Sequence, residues 1–214
     1  MMTMFRYFRW TAIALTVGVG LSTTAAHAED SPTSSRGAFV VAGKVGGIVP
    51  FSKLSAHVLG SLELGYAFGP KRSFVGYLDV SYAVPQSDGE ATDPRVPTTK
   101  WSYEVWQKQL VFQPSFAYRF TKVVAELTPY VGIGPRIYFL ETVTEGKASG
   151  EAFGTSYERS TRLGFGVPLG VEWALGPGGV LAELLLQWAP LDHRITGDTN
   201  LGSGTLLVGY RALL

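Results

Sequence analysis

The chain has 214 residues and no cysteine, with 18 Lys and Arg against 17 Asp and Glu for a formal net charge of +1. That balance excludes the basic face a nucleic-acid partner needs. The lack of thiols excludes a disulfide framework and a thiolate metal site. Apolar residues make up an ordinary 46% of the chain. Beyond the first segment, no run reaches the roughly 18 apolar residues of a membrane helix.

Residues 1–28 read as a cleaved signal peptide. Arg6 and Arg9 give a positive start, residues 11–21 an uncharged apolar core, and Ala26-His27-Ala28 the small residues that cleavage requires. As a retained anchor the apolar run is short. Residues 29–36 are polar and patternless, a flexible periplasmic lead-in.

From residue 37 onward, eight segments share one alternation, apolar on one side and small or polar on the other. Residues 39–49 set Phe39, Val41, Val45 and Val49 against Val40, Lys44 and Gly46. Residues 58–68 set Val58, Leu62, Leu64, Tyr66 and Phe68 against Ser61, Glu63 and Gly65. After a tight turn at Gly69-Pro70, residues 74–84 set Phe74, Leu78, Val80 and Tyr82 against Tyr77, Asp79 and Ser81. Residues 85–104 form a long polar connection.

Residues 105–120 then set Trp106, Leu110, Phe112, Phe116 and Tyr118 against Gln107, Gln109, Gln113 and Arg119. Residues 127–141 set Leu127, Val131, Ile133 and Phe139 against Tyr130, Gly132, Gly134 and Arg136. Residues 142–161 are again long and polar. Residues 162–176 carry the clearest ribbon, with Leu163, Phe165, Val167, Leu169, Val171 and Trp173 opposing Gly164, Gly166, Pro168, Gly170 and Glu172. Residues 180–188 set Val180, Leu184, Leu186 and Trp188 against Glu183 and Gln187, and residues 205–214 set Leu206, Val208 and Tyr210 against Gly209 and Arg211.

Each segment is long enough for a tilted strand to cross hydrocarbon, which takes about 9–11 residues. Connections alternate short and long, as in membrane barrels with short periplasmic turns and longer outside loops. Lipid tolerates no open sheet edge, so the expected fold is all-β: an eight-stranded antiparallel up-and-down transmembrane β-barrel over residues 37–214. A soluble barrel with its apolar side inward alternates equally well. Two features favour apolar outward: the other series is rich in Gly, Ser and Ala, and the aromatics fall into two girdles. One comprises Phe68, Phe74, Tyr118, Phe120, Trp173 and Tyr210 near the turns; the other comprises Tyr82, Trp106, Phe139 and Trp188 near the long loops.

The inward series then holds Lys44, Glu63, Asp79, Arg119, Arg136, Glu172, Glu183 and Arg211, four of each sign. Buried charges must be paired, so a structural lumen charge network that plugs the barrel is expected. A channel favours one sign in excess. Threading by height puts Lys44, Glu63, Asp79 and Arg136 near the middle, and Arg119, Glu172 and Glu183 nearer the turns. Pro114, Pro129, Pro135 and Pro168 lie inside strands; each must mark a bulge, a strand end or a lost ladder bond.

In this architecture the chain resembles the small outer-membrane barrels of Gram-negative bacteria, typified by the transmembrane domain of outer membrane protein A and the adhesion/opacity-type barrels. The ending LLVGYRALL, with Gly209, Ala212 and Leu214, looks like the C-terminal signal read by the barrel-assembly machinery. The family usually ends in Phe, and Leu214 departs from that. The resemblance implies an integral outer-membrane protein exported through the Sec pathway, surrounded by outer-membrane lipid and lipopolysaccharide. Its role would be envelope integrity or surface interaction through loops whose partner is unknown. The class identifies a location, not an activity.

Chemistry is sparsely offered. Some barrels of this size modify lipid A with a His, a Ser and an acid near the outer rim. Here only His57 and His193 follow the leader, the latter within Asp192-His193-Arg194 with Thr196 and Asp198 nearby, and no Ser stands at a matching spacing. The loop acids Asp88, Glu90, Asp93, Glu145, Glu151 and Glu158 lack a calcium-loop spacing. Arg162, Lys100, Lys108 and Arg194 lie near the expected outer rim, where they could meet lipopolysaccharide phosphates. The reading is therefore a non-enzymatic barrel with no catalytic residue, cofactor or metal; the alternatives are a narrow pore and a lipid A-modifying enzyme. N-terminal sequencing of the membrane-extracted protein is predicted to begin at Glu29; a first residue within 1–20 contradicts the leader assignment.

Overall fold

The computed structural model describes residues 37–52, 54–92, 100–121, 126–148, 151–190 and 200–214. The predicted leader and lead-in lie outside the described residues, as do Asp93 and the segment holding Asp192, His193, Arg194, Thr196 and Asp198.

Nine strands run in order: β1 Ala38–Pro50, β2 His57–Phe68, β3 Phe74–Ala83, β4 Gln86–Thr92, β5 Lys100–Arg119, β6 Leu127–Ala148, β7 Glu151–Leu175, β8 Gly178–Trp188 and β9 Ser203–Leu213. All pairings are antiparallel; β1 lies between β2 and β9, and β3 pairs with β5 to close the sheet on itself. The extra strand, β4, is the outer part of β3. The β3–β5 ladder stops at Ala83↔Gln109 and the β4–β5 ladder resumes at Gln86↔Trp106, in the same register. Pro85 stands in the gap, has no N–H to donate, and still accepts from Gln107 N at 2.9 Å. The barrel is thus eight-stranded.

Two of the long polar connections are not loops. β4 and the start of β5 form one extension. Residues 142–148 of β6 pair with the start of β5 on one side and with residues 151–158 of β7 on the other, which continues the same extension, with a register shift at Gly146/Lys147. These stretches mix polar residues with scattered apolar ones such as Tyr103, Val105, Val143 and Tyr157, so the sustained hydrophobic alternation that marks the other strands is missing. Their Thr, Val and Tyr content still favours extended backbone. At the opposite end the turns are tight: Gly69 and Gly176 take positive φ (76° and 60°), as a turn that short requires.

The faces fall as the alternation predicts. Leu163 is 65% exposed and Leu62 63%, whereas Glu63 is 0% and Arg136 2% exposed. An exposed apolar band around a charged interior is the arrangement of a barrel solvated by lipid, and it overturns the soluble alternative. Aromatics pack along the turn end, with Phe74–Tyr118 ring centroids 5.3 Å apart and Tyr118–Phe120 4.9 Å apart. Phe165 and Trp188 pair at 5.7 Å toward the other end.

The strand prolines cost bonds without shifting register. Phe112↔Ile137 and Phe116↔Ile133 belong to one register, which sets Pro114 directly opposite Pro135. Pro114 meets Leu78 on β3 and Pro135 meets Phe165 on β7. Their missing N–H groups therefore both belong to the β5–β6 seam, since a strand residue directs its N–H to one neighbour only. The pairing lapses from Gln113 to Ser115 there. It lapses again where Pro168 faces Gly132, whereas Pro129 keeps its pairing with Val171. The Pro114→Val/Pro135→Val double variant is predicted to restore both bonds. Its unfolding free energy in urea should rise by about 1 kcal/mol per bond; an unchanged midpoint contradicts the assignment.

Candidate functional site

The lumen is built in layers by the inward series. Toward the turns, Val40, Ala67, Val75, Tyr77 and Ala117 form an apolar cluster. Beside and above it runs a charged set, from Arg119 at the turn end to Lys44. Toward the outer end two further apolar clusters, Ile48, Leu59, Ala83, Leu185 and Leu207 and then Val111, Tyr138, Leu140, Ala189 and Leu201, sit among glutamines. The alternation did not single out these inward aliphatics, because it scored that series by its polar members.

Within the charged set Lys44 Nζ reaches three acids: Asp79 at 2.7 Å, Glu183 at 3.1 Å and Glu63 at 3.3 Å. Arg211 grips Glu63 in bidentate fashion, with Nε and Nη2 each donating at 2.8 Å, and its Nη1 donates to Glu172. Arg119 donates to the same Glu172 from Nη2 at 2.5 Å and Nε at 3.1 Å, and to the Arg72 carbonyl at 3.2 Å. Seven side chains from seven strands form one connected set. The remaining carboxylate capacity is taken by neutral donors: Ser61 Oγ donates to Asp79 at 2.5 Å and Tyr130 Oη to Glu183 at 2.7 Å. Arg211 also lies over the Tyr130 ring at 4.8 Å and the Tyr77 ring at 5.9 Å. These rings fit because their cross-strand partners are Gly170 and Gly65, where any Cβ would overlap the tyrosine.

Two placements differ from the expected heights. Glu183, threaded toward the turns, meets Lys44; strand tilt and stagger shift heights that simple threading ignores. Arg136, threaded into the middle group, has no carboxylate partner among the described residues. It donates to Gln113 and to Ser81 at 3.5 Å, and stacks 5.3 Å from the Tyr138 ring. The four-against-four balance therefore resolves into an ion-paired set with one acid in excess and a separate arginine in a polar layer. That layer is held by Gln109 donating to Gln107 at 2.7 Å, Gln107 to Thr142 at 3.0 Å and Gln113 to Ser115 at 2.8 Å. These glutamines stood on the inward series, but nothing in the sequence assigned them to Arg136.

The other candidates scatter. Arg162 lies opposite Tyr138 on the inward series, so it points away from lipid. Lys100 is the first residue of β5, and Lys108 faces outward beside Glu141. His57 opens β2 at its outer end, where partial burial lowers its imidazole pKa. Asp88 and Glu90 lie on β4, and Glu145, Glu151 and Glu158 on the β6–β7 extension. Among the described residues no three His, Asp or Glu converge as a metal site.

A closed eight-stranded antiparallel barrel, apolar outside and charged within, defines an outer-membrane-type β-barrel. No protein-family model matches the chain, and no curated protein does. Solved structures of this class do. The chain is similar to the outer membrane protein OprG from Pseudomonas aeruginosa at 10% identity, covering 84% of this chain and 97% of that one with a TM-score of 0.51. It also matches Neisserial surface protein A at 18% identity, 84% and 99% coverage and a TM-score of 0.42. A third match is Ail, the attachment invasion locus protein of Yersinia pestis, at 12% identity, 82% and 97% coverage and a TM-score of 0.37. The likeness is one of fold.

Removing one member of a buried ion pair strands its partners, which costs about 3–5 kcal/mol. Arg211→Met is predicted to lose that much in urea unfolding, because Glu63 and Glu172 lose their shared cation. Arg136→Met, which strands no acid, should lose less than about 1.5 kcal/mol. Equal losses contradict the division of the lumen into two sets.

Proposed function

We propose that this chain is a non-enzymatic outer-membrane barrel whose lumen is closed, and which serves envelope integrity or surface interaction through its outer hairpins. The observation that carries the reading is the ion-paired set itself. Arg211, Lys44 and Arg119 link acids from β2, β3, β7 and β8 across the barrel, with Glu63 at 0% exposure. Side chains nearly fill an eight-stranded interior, and a path for ions would have to separate buried charges that hold one another. The same reading has the chain exported through the Sec pathway and inserted by the barrel-assembly machinery, with outer-membrane lipid and lipopolysaccharide around it.

The extensions fit the second half of the proposal. Paired strands standing beyond the apolar band hold polar side chains in fixed positions at low entropic cost, as a contact surface requires. Ion pairs brace them: Lys147 Nζ lies 3.0 Å from Glu104 Oε1 across β5 and β6.

In planar bilayers the purified protein is predicted to give no steady single-channel current. Steady currents that change on substituting Glu63 or Arg136 would establish the pore reading instead. A change in lipid A acylation that depends on the protein and disappears in His57→Ala or His193→Ala would establish an enzyme.

A further inference from the structure

A row of charge crosses the lipid-facing wall. Lys108 on β5 stands directly opposite Glu141 on β6, and Glu141 directly opposite Arg159 on β7. All three belong to the outward series. Lys108 Nζ lies 3.0 Å from Glu141 Oε1, and Arg159 reaches Glu141 Oε2 from Nη2 at 2.9 Å and Nε at 3.0 Å. The acid sits in the centre and the two cations flank it, so the row carries one net positive charge. Glu141 takes one of the three ammonium donors of Lys108 and two of the five guanidinium donors of Arg159. Among the described residues the others are uncommitted, and the side chains are 50% and 82% exposed.

The rows on either side fix its depth. On the side toward the middle of the barrel, Tyr82, Leu110, Phe139 and Thr161 form the next outward row; on the far side come Trp106, Val143 and Tyr157. Aromatic residues gather where lipid headgroups meet hydrocarbon. A charged row on the outer wall, between rows that each carry two aromatics (Tyr82 and Phe139, Trp106 and Tyr157), therefore stands at headgroup level. A groove of about 450 Å³ opens there, with the three charged residues along one side and Tyr82, Leu110 and Phe139 along the other. Its polar half suits a phosphate and its apolar half the start of an acyl chain.

We infer that Lys108 and Arg159, spaced by Glu141, form a binding site for the phosphate of a phosphorylated outer-leaflet lipid, whose acyl chain lies against Tyr82, Leu110 and Phe139. The site rests on the outer-membrane reading above and deepens its general lipid contact into named residues. Glu141 holds the two cations apart, so that neither must be ordered when the lipid arrives. The fork of Arg159 matches phosphate oxygens, and Lys108 adds a point charge.

The test uses the full-length processed protein in phosphatidylcholine nanodiscs, offered lipid A bearing its phosphates or lipid A from which they have been removed, with retained lipid counted by native mass spectrometry. Wild type is expected to retain the phosphorylated form about ten-fold over the other, the worth of one or two charge-assisted hydrogen bonds. Lys108→Gln/Arg159→Gln should lose that preference while keeping the heat-modifiable gel mobility of a folded barrel. The single variants, which perturb the wall less, should each lose part of it. Equal retention of both lipids by wild type, or an undiminished preference in the double variant, overturns the site. So does full displacement by excess inorganic phosphate, which would make free anion, not lipid, the ligand. None of these failures bears on whether the lumen conducts, so the closed-barrel reading stands or falls separately.

Discussion

Hydrocarbon offers a backbone no hydrogen-bond partner. Strands that cross it must therefore satisfy their N–H and C=O groups on one another, and the sheet must close. In this chain the closing contact is β3 with β5, ten residue pairs from Phe74↔Tyr118 to Ala83↔Gln109. Closure decides everything else. It turns one face of every strand to lipid, where Leu62, Leu64, Leu163 and Leu206 stand exposed, and the other into a space so narrow that its charges must answer each other. The seven-membered ion set around Arg211 and Lys44 is the consequence of packing eight polar strand faces into one cylinder. The Pro114–Pro135 site is the one place in the β5–β6 wall where the rule is locally broken, and the flanking ladder holds the register across it.

The sequence showed the wall far better than its contents. Period-two alternation in residues 58–68 or 162–176 names each outward and inward residue, and all eight lumen charges lie on the inward face. What alternation cannot supply is which inward residues meet. That depends on the stagger between strands, and stagger brought Glu183 to Lys44 and left Arg136 with Gln113 and Ser81. Nor does a hydrophobic pattern reveal strands that run on past the hydrocarbon. Thr142, Thr144 and Glu145 continue β6 with Val143 alone as an apolar residue among them, so the extensions read as loops.

The two ends of the molecule are held together differently. The turn end is tied down by aromatic contacts and short connections, with Tyr210 Oη donating to the Leu175 carbonyl at 2.9 Å and Trp173 Nε1 to Glu126 at 3.3 Å. The outer end carries the paired extensions, their exposed ion pairs and the Lys108–Glu141–Arg159 row. Exposed ion pairs contribute little to stability, so charge along this end is better understood by what it can touch than by what it holds together.

The account depends most on which face meets lipid, and the cysteine-free chain makes that directly measurable. A nitroxide carried on single cysteines at successive positions from 162 to 169 would report collisions with oxygen, which concentrates in hydrocarbon. The account predicts a two-residue oscillation with maxima at Leu163, Phe165, Val167 and Leu169. Maxima at Gly164 and Gly166, or no oscillation at all, would contradict it.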